Sequence, residues 1–385
     1  MTEFGHYRGQ QPAREITMTK LHELAELGQS VWYDYIRRDF LNSGELEDLI
    51  NMGLRGLTSN PAIFEKAIAH SNDYDQAIKS MVRKSKSVQQ TYEALVLEDI
   101  DRAADLFETV YINTGGLDGY VSLEVSPHLA QDTEKTVAEA KRLFNMLQRP
   151  NLMIKVPATN AGLPAITELI GSGINVNVTL LFSIARYREV ARAYVQGLKK
   201  LQAEGPTVPG GKSLDGVASV ASFFVSRVDS DVDKALQDMG RSDLAGRAAV
   251  ANAKLAYQAF MEFFQGPRWD KLHKQGAGMQ RLLWASTGTK NPDYPDTIYI
   301  DQLIGPNTVN TIPPQTMQKF LEHGKVQQTL TQGVDQAAKD IQQLADLGID
   351  LEKTAGKLLN EGILAFVQPF EGLMTAIEKK RDLFS

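Results

Sequence analysis

Residues 174 to 182 read Ile-Asn-Val-Asn-Val-Thr-Leu-Leu-Phe (INVNVTLLF), with Val176, Val178 and Leu180 on one parity and Asn175, Asn177 and Thr179 on the other. Alternation with period two is the mark of a strand with two unlike faces. An apolar face packs under helices, and a polar face inside a sheet must look into an enclosed interior. The neighbouring runs repeat the pattern. In 119 to 126 (GYVSLEVS), Val121, Leu123 and Val125 oppose Ser122, Glu124 and Ser126; in 152 to 158 (LMIKVPA), Lys155 shares its parity with Met153 and Pro157. Consecutive strands are thus expected to send a lysine and a glutamate into one interior.

Working outward, further strand-like runs occur at 30 to 36, 53 to 59, 217 to 225, 280 to 286 and 308 to 312, which makes eight. Between them the apolar residues take helical spacing, as in Val137, Ala140, Phe144 and Leu147, or Val190, Tyr194, Leu198 and Leu201. Eight strands alternating with helices predict a (β/α)8 barrel, with a doubly wound sheet as the structural alternative. A leading helix near 17 to 27 and a C-terminal one near 351 to 366, striped by Leu351, Ala355, Leu358, Gly362 and Phe366, are expected to cover the barrel. The Gly- and Pro-containing stretches 203 to 216 and 288 to 307 read as loops. The expected organisation is one domain over 1 to 385, with the barrel in about 30 to 330.

Composition removes whole classes of chemistry. The 385 residues include no cysteine, so thiol nucleophiles, disulfides and thiolate metal sites are excluded. With 41 Lys+Arg against 47 Asp+Glu, and no basic tract, nucleic acid is not an expected partner. The six histidines lack metal-ligand spacing, and neither a dinucleotide fingerprint nor a P-loop is present, so no cofactor and no metal are expected. Asp229, Asp231 and Asp233 imitate the start of a calcium loop, but Lys234 stands where glycine is required and Gly240 where the bidentate glutamate belongs. They read as a solvated helix start. Residues 1 to 11 lack an apolar signal segment and no run approaches the ~20 apolar residues of a membrane span, so a soluble, cytoplasmic protein is expected.

Two readings of Lys155 remain open on the residues alone. It either fills the barrel as half of a buried ion pair with Glu124, or it is an amine nucleophile made usable by burial, with a carboxylate to move its protons. At the strand ends, where barrel sites form, Asp34, Thr58, Asn60, Asn177, Thr179, Ser222, Arg227 and Ser286 join it as candidates.

The segments TSNPAIF (58 to 64), SLEVSP (122 to 127), MIKVPAT (153 to 159), GINVNVTLLFS (173 to 183), ASFFVSR (221 to 227) and ASTGTKNP (285 to 292) together resemble the transaldolase family from about residue 30 to 314. The resemblance implies a class I aldolase barrel with the Schiff-base lysine on the fourth strand, which is Lys155 by the strand count. It further implies that Glu124 and Thr179 move protons through a water and that Asp34 deprotonates the C4 hydroxyl of a ketose phosphate. Asn60 and Asn177 would bind the hydroxyls of the three-carbon unit, and Thr58 belongs to the same set. Arg227, Ser222 and Ser286 would bind the phosphate. Where many relatives follow an Ala-Ser pair with Phe-Arg, this chain runs Ala285-Ser286-Thr287-Gly288-Thr289-Lys290, so Lys290 is the candidate second cation. Phe224 is read as pocket wall or core. The implied partners are sugar phosphates, acting on a monomer or homodimer, with no membrane and no nucleic acid. The alternatives are an aldolase that cleaves fructose 6-phosphate to free dihydroxyacetone, and a catalytically silent sugar-phosphate-binding protein.

Overall fold

A computed structural model describes residues 18–384; the reading of residues 1 to 11 lies outside them, as does Thr17 at the start of the expected leading helix. Eight parallel strands follow one another around a closed barrel in chain order: β1 (Gln29–Asp34), β2 (Gly56–Thr58), β3 (Tyr120–Glu124), β4 (Leu152–Pro157), β5 (Val176–Leu181), β6 (Ser219–Phe224), β7 (Arg281–Ala285) and β8 (Thr308–Ile312). β8 closes on β1, with Ser30 opposite Val309 and Trp32 opposite Thr311. Each expected strand is present, and the open-sheet alternative is removed by closure.

Local chemistry sets the breaks between elements. In the TSNP segment the side-chain oxygen of Asn60 accepts from the Ile63 amide at 3.0 Å, and Pro61 occupies the first helical position, so helix Pro61–Ala69 starts as β2 ends. Ser183 caps Ile184–Glu204 by accepting from Arg186 N in the same way. Gly56 opens β2 because Trp32, its register partner, fills the space beside it: a Cβ there would lie 2.7 Å from the indole.

The two ends of the barrel differ in kind. At the N-terminal end Arg281 donates to Asp118 Oδ1 at 2.9 Å and to Ser30 Oγ at 2.9 Å, while Ser30 donates to Asp118 Oδ2 at 2.7 Å. All three are buried, and these mutual bonds offset the cost of removing the ions from water. This end is a plug. At the C-terminal end the helix Leu351–Leu383 folds back across the mouth, burying Ala355, Leu358, Gly362 and Phe366 as its apolar stripe requires. It runs well beyond the expected limit of 366, passing through Pro369, because Phe370, Leu373 and Ile377 extend the buried stripe. The leading helix is Lys20–Glu26, capped by Thr19.

One strand departs from strict alternation. The β5–β6 register shifts between Val178 and Leu181, and Leu180 takes a positive φ of 62°. Leu180, expected on the helix side, instead lies directly under Gly362, where a Cβ would come within 2.7 Å of its Cδ2. Asn175, expected in the interior, ties the strand entrances together, donating to the carbonyls of Pro150 and Leu152 and accepting from the Ala218 amide.

Candidate active site

A cavity of about 740 Å³ opens at the C-terminal ends of the strands. Asp34 (β1), Thr58 (β2), Lys155 (β4), Thr179 (β5), Ser222 and Phe224 (β6), Ala285 (β7) and Thr311 (β8) line it, and Phe366 of the C-terminal helix lies over it. This is the face at which loops meet on a barrel and where its chemistry is assembled.

Lys155 is 5% exposed, and its ammonium is held from two sides. Nζ lies 2.6 Å from Glu124 Oε1 and donates to the main-chain carbonyl of Ser59 at 3.0 Å. The Phe366 ring sits 5.7 Å from the same nitrogen. Glu124 is the direct register neighbour of Lys155 across β3 and β4. Burial raises its carboxyl above the usual range, against the opposing pull of the Lys155 charge. Such a carboxylate accepts a proton from an adjoining ammonium more readily than one in water.

Asp34 stands across the cavity. Its Oδ1 accepts from the Thr58 hydroxyl at 2.8 Å, and the Thr311 hydroxyl lies 2.6 Å from that of Thr58, forming a short polar relay from β8 through β2 to β1. Burial raises the Asp34 carboxyl too, opposed first by Lys155, then by Thr58 and by Lys290. Thr179 Oγ1 is buried without a hydrogen-bond partner among the described residues, so it can both donate to and accept from a bound molecule.

The other expected residues divide by depth. Asn177 is fully buried beneath the cavity floor, donating to Ser122 Oγ at 3.0 Å and accepting from Ser222 Oγ at 2.6 Å. Its amide therefore orients Ser222, which reaches the cavity wall. Asn60 lines the cavity, but its oxygen serves as helix cap, which leaves its NH2 as the group facing outward chemistry. Arg227 and Lys290 sit at the rim with Ser286, whose backbone is also at positive φ (56°) and whose hydroxyl lies 3.0 Å from that of Ser226. The guanidinium of Arg227 lies 5.3 Å from the Phe224 ring, which makes Phe224 a platform for that cation.

Sequence reasoning missed three groups. Thr311 completes the relay to Asp34, Phe366 roofs the lysine, and Lys66 of helix Pro61–Ala69 lines the cavity at its rim. Burial lowers the proton affinity of Lys290, and the charges of Arg227 and Lys66 lower it further, while Asp34 opposes them. Burial likewise lowers that of Arg227. Cations gathered closely enough to repel one another form a receptor for a dianion. Among the described residues no group of three or more His, Cys, Asp or Glu side chains is placed to hold a metal ion.

A closed parallel barrel with a buried amine on its fourth strand, a carboxylate beside it on the third and another across the cavity on the first, and a cationic rim belongs with the Schiff-base barrels. The chain belongs to the transaldolase/fructose-6-phosphate aldolase family, whose profile matches residues 31–377 and so takes in most of the C-terminal helix, beyond the limit of 314 read from motifs. It is 46% identical over 374 residues to a protein named transaldolase from Trichodesmium erythraeum, covering 94% of this chain and 97% of that one. It is 46% identical to transaldolase 2 of Nostoc punctiforme (95% and 98% covered) and 44% identical to the transaldolase of Neisseria gonorrhoeae (94% and 100%).

Proposed function

We propose that the chain is a transaldolase-type transferase that moves a dihydroxyacetone unit between sugar phosphates through an imine on Lys155. The observation that carries this reading is the position of Nζ: buried, 2.6 Å from a carboxylate whose proton affinity is raised, and facing a cavity with a second carboxylate and a cationic rim. An ion pair serving only to fill the barrel would have no use for the cavity or for the unpartnered Thr179 hydroxyl.

Glu124 takes a proton from the Lys155 ammonium, and the free amine adds to C2 of a ketose phosphate such as fructose 6-phosphate or sedoheptulose 7-phosphate. Glu124 and Thr179 then deliver the protons that turn the C2 hydroxyl into a leaving water, giving the iminium. Asp34 removes the C4 hydroxyl proton; the C3–C4 electron pair flows into the iminium, and the aldose phosphate departs. The enamine left on Lys155 adds to the aldehyde of an acceptor such as glyceraldehyde 3-phosphate or erythrose 4-phosphate, and the steps run in reverse to release the new ketose. Asn60 and Ser222, the latter set by Asn177, contact the hydroxyls of the retained unit. Arg227, Lys290, Ser286 and Lys66 receive the phosphate. The roof that the C-terminal helix adds to the barrel cavity supports a single functional domain.

Borohydride reduction with fructose 6-phosphate is expected to leave a three-carbon unit on Lys155, located by mass mapping; an adduct elsewhere, or none, overturns the reading. The aldolase alternative is separated by omitting the acceptor. Turnover then nearly stops for a transferase, whereas steady release of free dihydroxyacetone indicates the aldolase.

A further inference from the structure

Helix Ser226–Asp238 follows β6 and carries Asp229, Asp231 and Asp233. The structure corrects the reading of these as a solvated helix start. Asp229 is 2% exposed; its Oδ2 accepts from the Tyr299 hydroxyl at 2.7 Å and its Oδ1 from the Ala249 amide at 2.7 Å. One turn on, Asp233 accepts from the Tyr294 hydroxyl at 2.7 Å and from the Gly246 amide at 2.9 Å. The i, i+4 spacing places both carboxylates on one side of the helix. Asp231 points away from them and pairs with Lys357 of the C-terminal helix.

Tyr294 and Tyr299 belong to the segment between β7 and β8 that also carries Lys290, while the first turn of the aspartate helix carries Arg227. The two carboxylates therefore join the carrier of one rim cation to the carrier of the other. The seat for Tyr294 is built for it: Gly246 has φ +74°, and a Cβ there would lie 2.9 Å from the ring. A joint that served packing alone would not bury the Asp229 carboxylate and half-bury that of Asp233, which costs free energy in desolvation. This joint works against a specific load, since Arg227 and Lys290 repel each other and would separate if the segment were free to move.

We propose that Asp229 and Asp233 are positioning residues which, through the hydroxyls of Tyr299 and Tyr294, hold Lys290 at a fixed spacing from Arg227 and so set the affinity for the substrate's phosphate. The proposal rests on the reading of the cavity as a sugar-phosphate site. Its chemistry is that of a preorganised anion receptor: the cost of bringing two cations together is met during folding and not on binding.

The test uses the full-length Tyr294→Phe and Tyr299→Phe variants, which keep the rings and remove only the hydroxyls. Three quantities are read: KM for fructose 6-phosphate, the inhibition constant of inorganic phosphate, and kcat/KM for unphosphorylated fructose. The two phosphate-dependent constants are expected to rise about tenfold, the scale of one lost hydrogen bond to a charged group, with kcat and the fructose reaction unchanged. Equal losses with both donors, or an unchanged phosphate constant in both variants, overturn the proposal. A Gly246→Ala variant, which pushes the Tyr294 ring from its seat and strains the residue whose amide donates to Asp233, is expected to reproduce the same split. Borohydride trapping on Lys155 at saturating donor is retained in all three; its absence from the unmutated protein would count against the sugar-phosphate reading itself.

Discussion

Glu124 and Lys155 are direct neighbours across two parallel strands, and the tips of their side chains meet at 2.6 Å inside the barrel mouth. Burial raises the carboxyl of Glu124 while the charge of Lys155 holds it down, which makes Glu124 the adjoining acceptor for a proton from the amine. Glu124→Gln keeps the shape and removes the acceptor. It is expected to lower kcat by about 10²- to 10⁴-fold, the usual yield of general acid–base catalysis, and to slow single-turnover trapping in parallel. A loss below tenfold, with melting temperature unchanged, would remove Glu124 from the proton path.

Asp34 acts after the imine has formed, and this separates it from Glu124 experimentally. In Asp34→Asn the amide still accepts from Thr58 but cannot take a proton from C4, so donor enters and cleavage stalls. Turnover should fall ~10²- to 10⁴-fold, and reduction with fructose 6-phosphate should leave the intact six-carbon phosphate on Lys155 in place of the three-carbon unit. A three-carbon adduct formed at the normal rate would place the base elsewhere.

The three rim cations differ in their surroundings. Arg227 lies half-buried over Phe224, whereas the side chains of Lys290 and Lys66 are both exposed, Lys290 standing in the field of Arg227 and Asp34. Charged hydrogen bonds of about 1.5–3 kcal/mol correspond to a roughly 10- to 150-fold rise in KM for fructose 6-phosphate in Arg227→Ala and Lys290→Ala. Lys66→Ala, screened by solvent, should cost no more than about fivefold and lose that effect at high salt. Arg227→Lys should recover only part of the affinity, because an ammonium lacks the paired donors of a guanidinium. Equal KM values for all these variants would show that the phosphate binds elsewhere.

Burial pushes the Asp229 carboxyl up to about 6, against an unfolded value near 3.9. The folded state thus holds this proton more tightly than the unfolded chain, so its contribution to stability declines as pH rises from about 4 to 6 and is level above that. Two units correspond to about 2–3 kcal/mol. Asp229→Asn cannot ionise, so its stability relative to the unmutated protein should improve by that amount between pH 4 and pH 7 in denaturant titrations. A constant offset across that range would show that Asp229 does not titrate there.

Much of this molecule can be read from its residues, and what escapes does so for definable reasons. Short apolar or alternating runs located each strand, and counting them put Lys155 on the fourth. The turn at Leu180 is not visible in that alternation, since a register shift leaves the order of polar and apolar residues unchanged. Pro369 resembles a helix end, and only the continued packing of Phe370, Leu373 and Ile377 overrides it. Lys66 looks like any solvated lysine until the fold brings its helix to the rim. Asp229 and Asp233 escape a calcium-loop template because their partners lie more than sixty residues ahead, Tyr299 in a short helix, Ile298–Asp301, that interrupts the stretch expected to be a loop, and Tyr294 just before it.

The cover and the nucleophile come from separate parts of the chain: Phe366 lies on the helix Leu351–Leu383, whereas Lys155 lies on β4. A substitution at Phe366 therefore changes what surrounds the amine without altering the strand that positions it, so the environment of the nucleophile and its placement are separately adjustable.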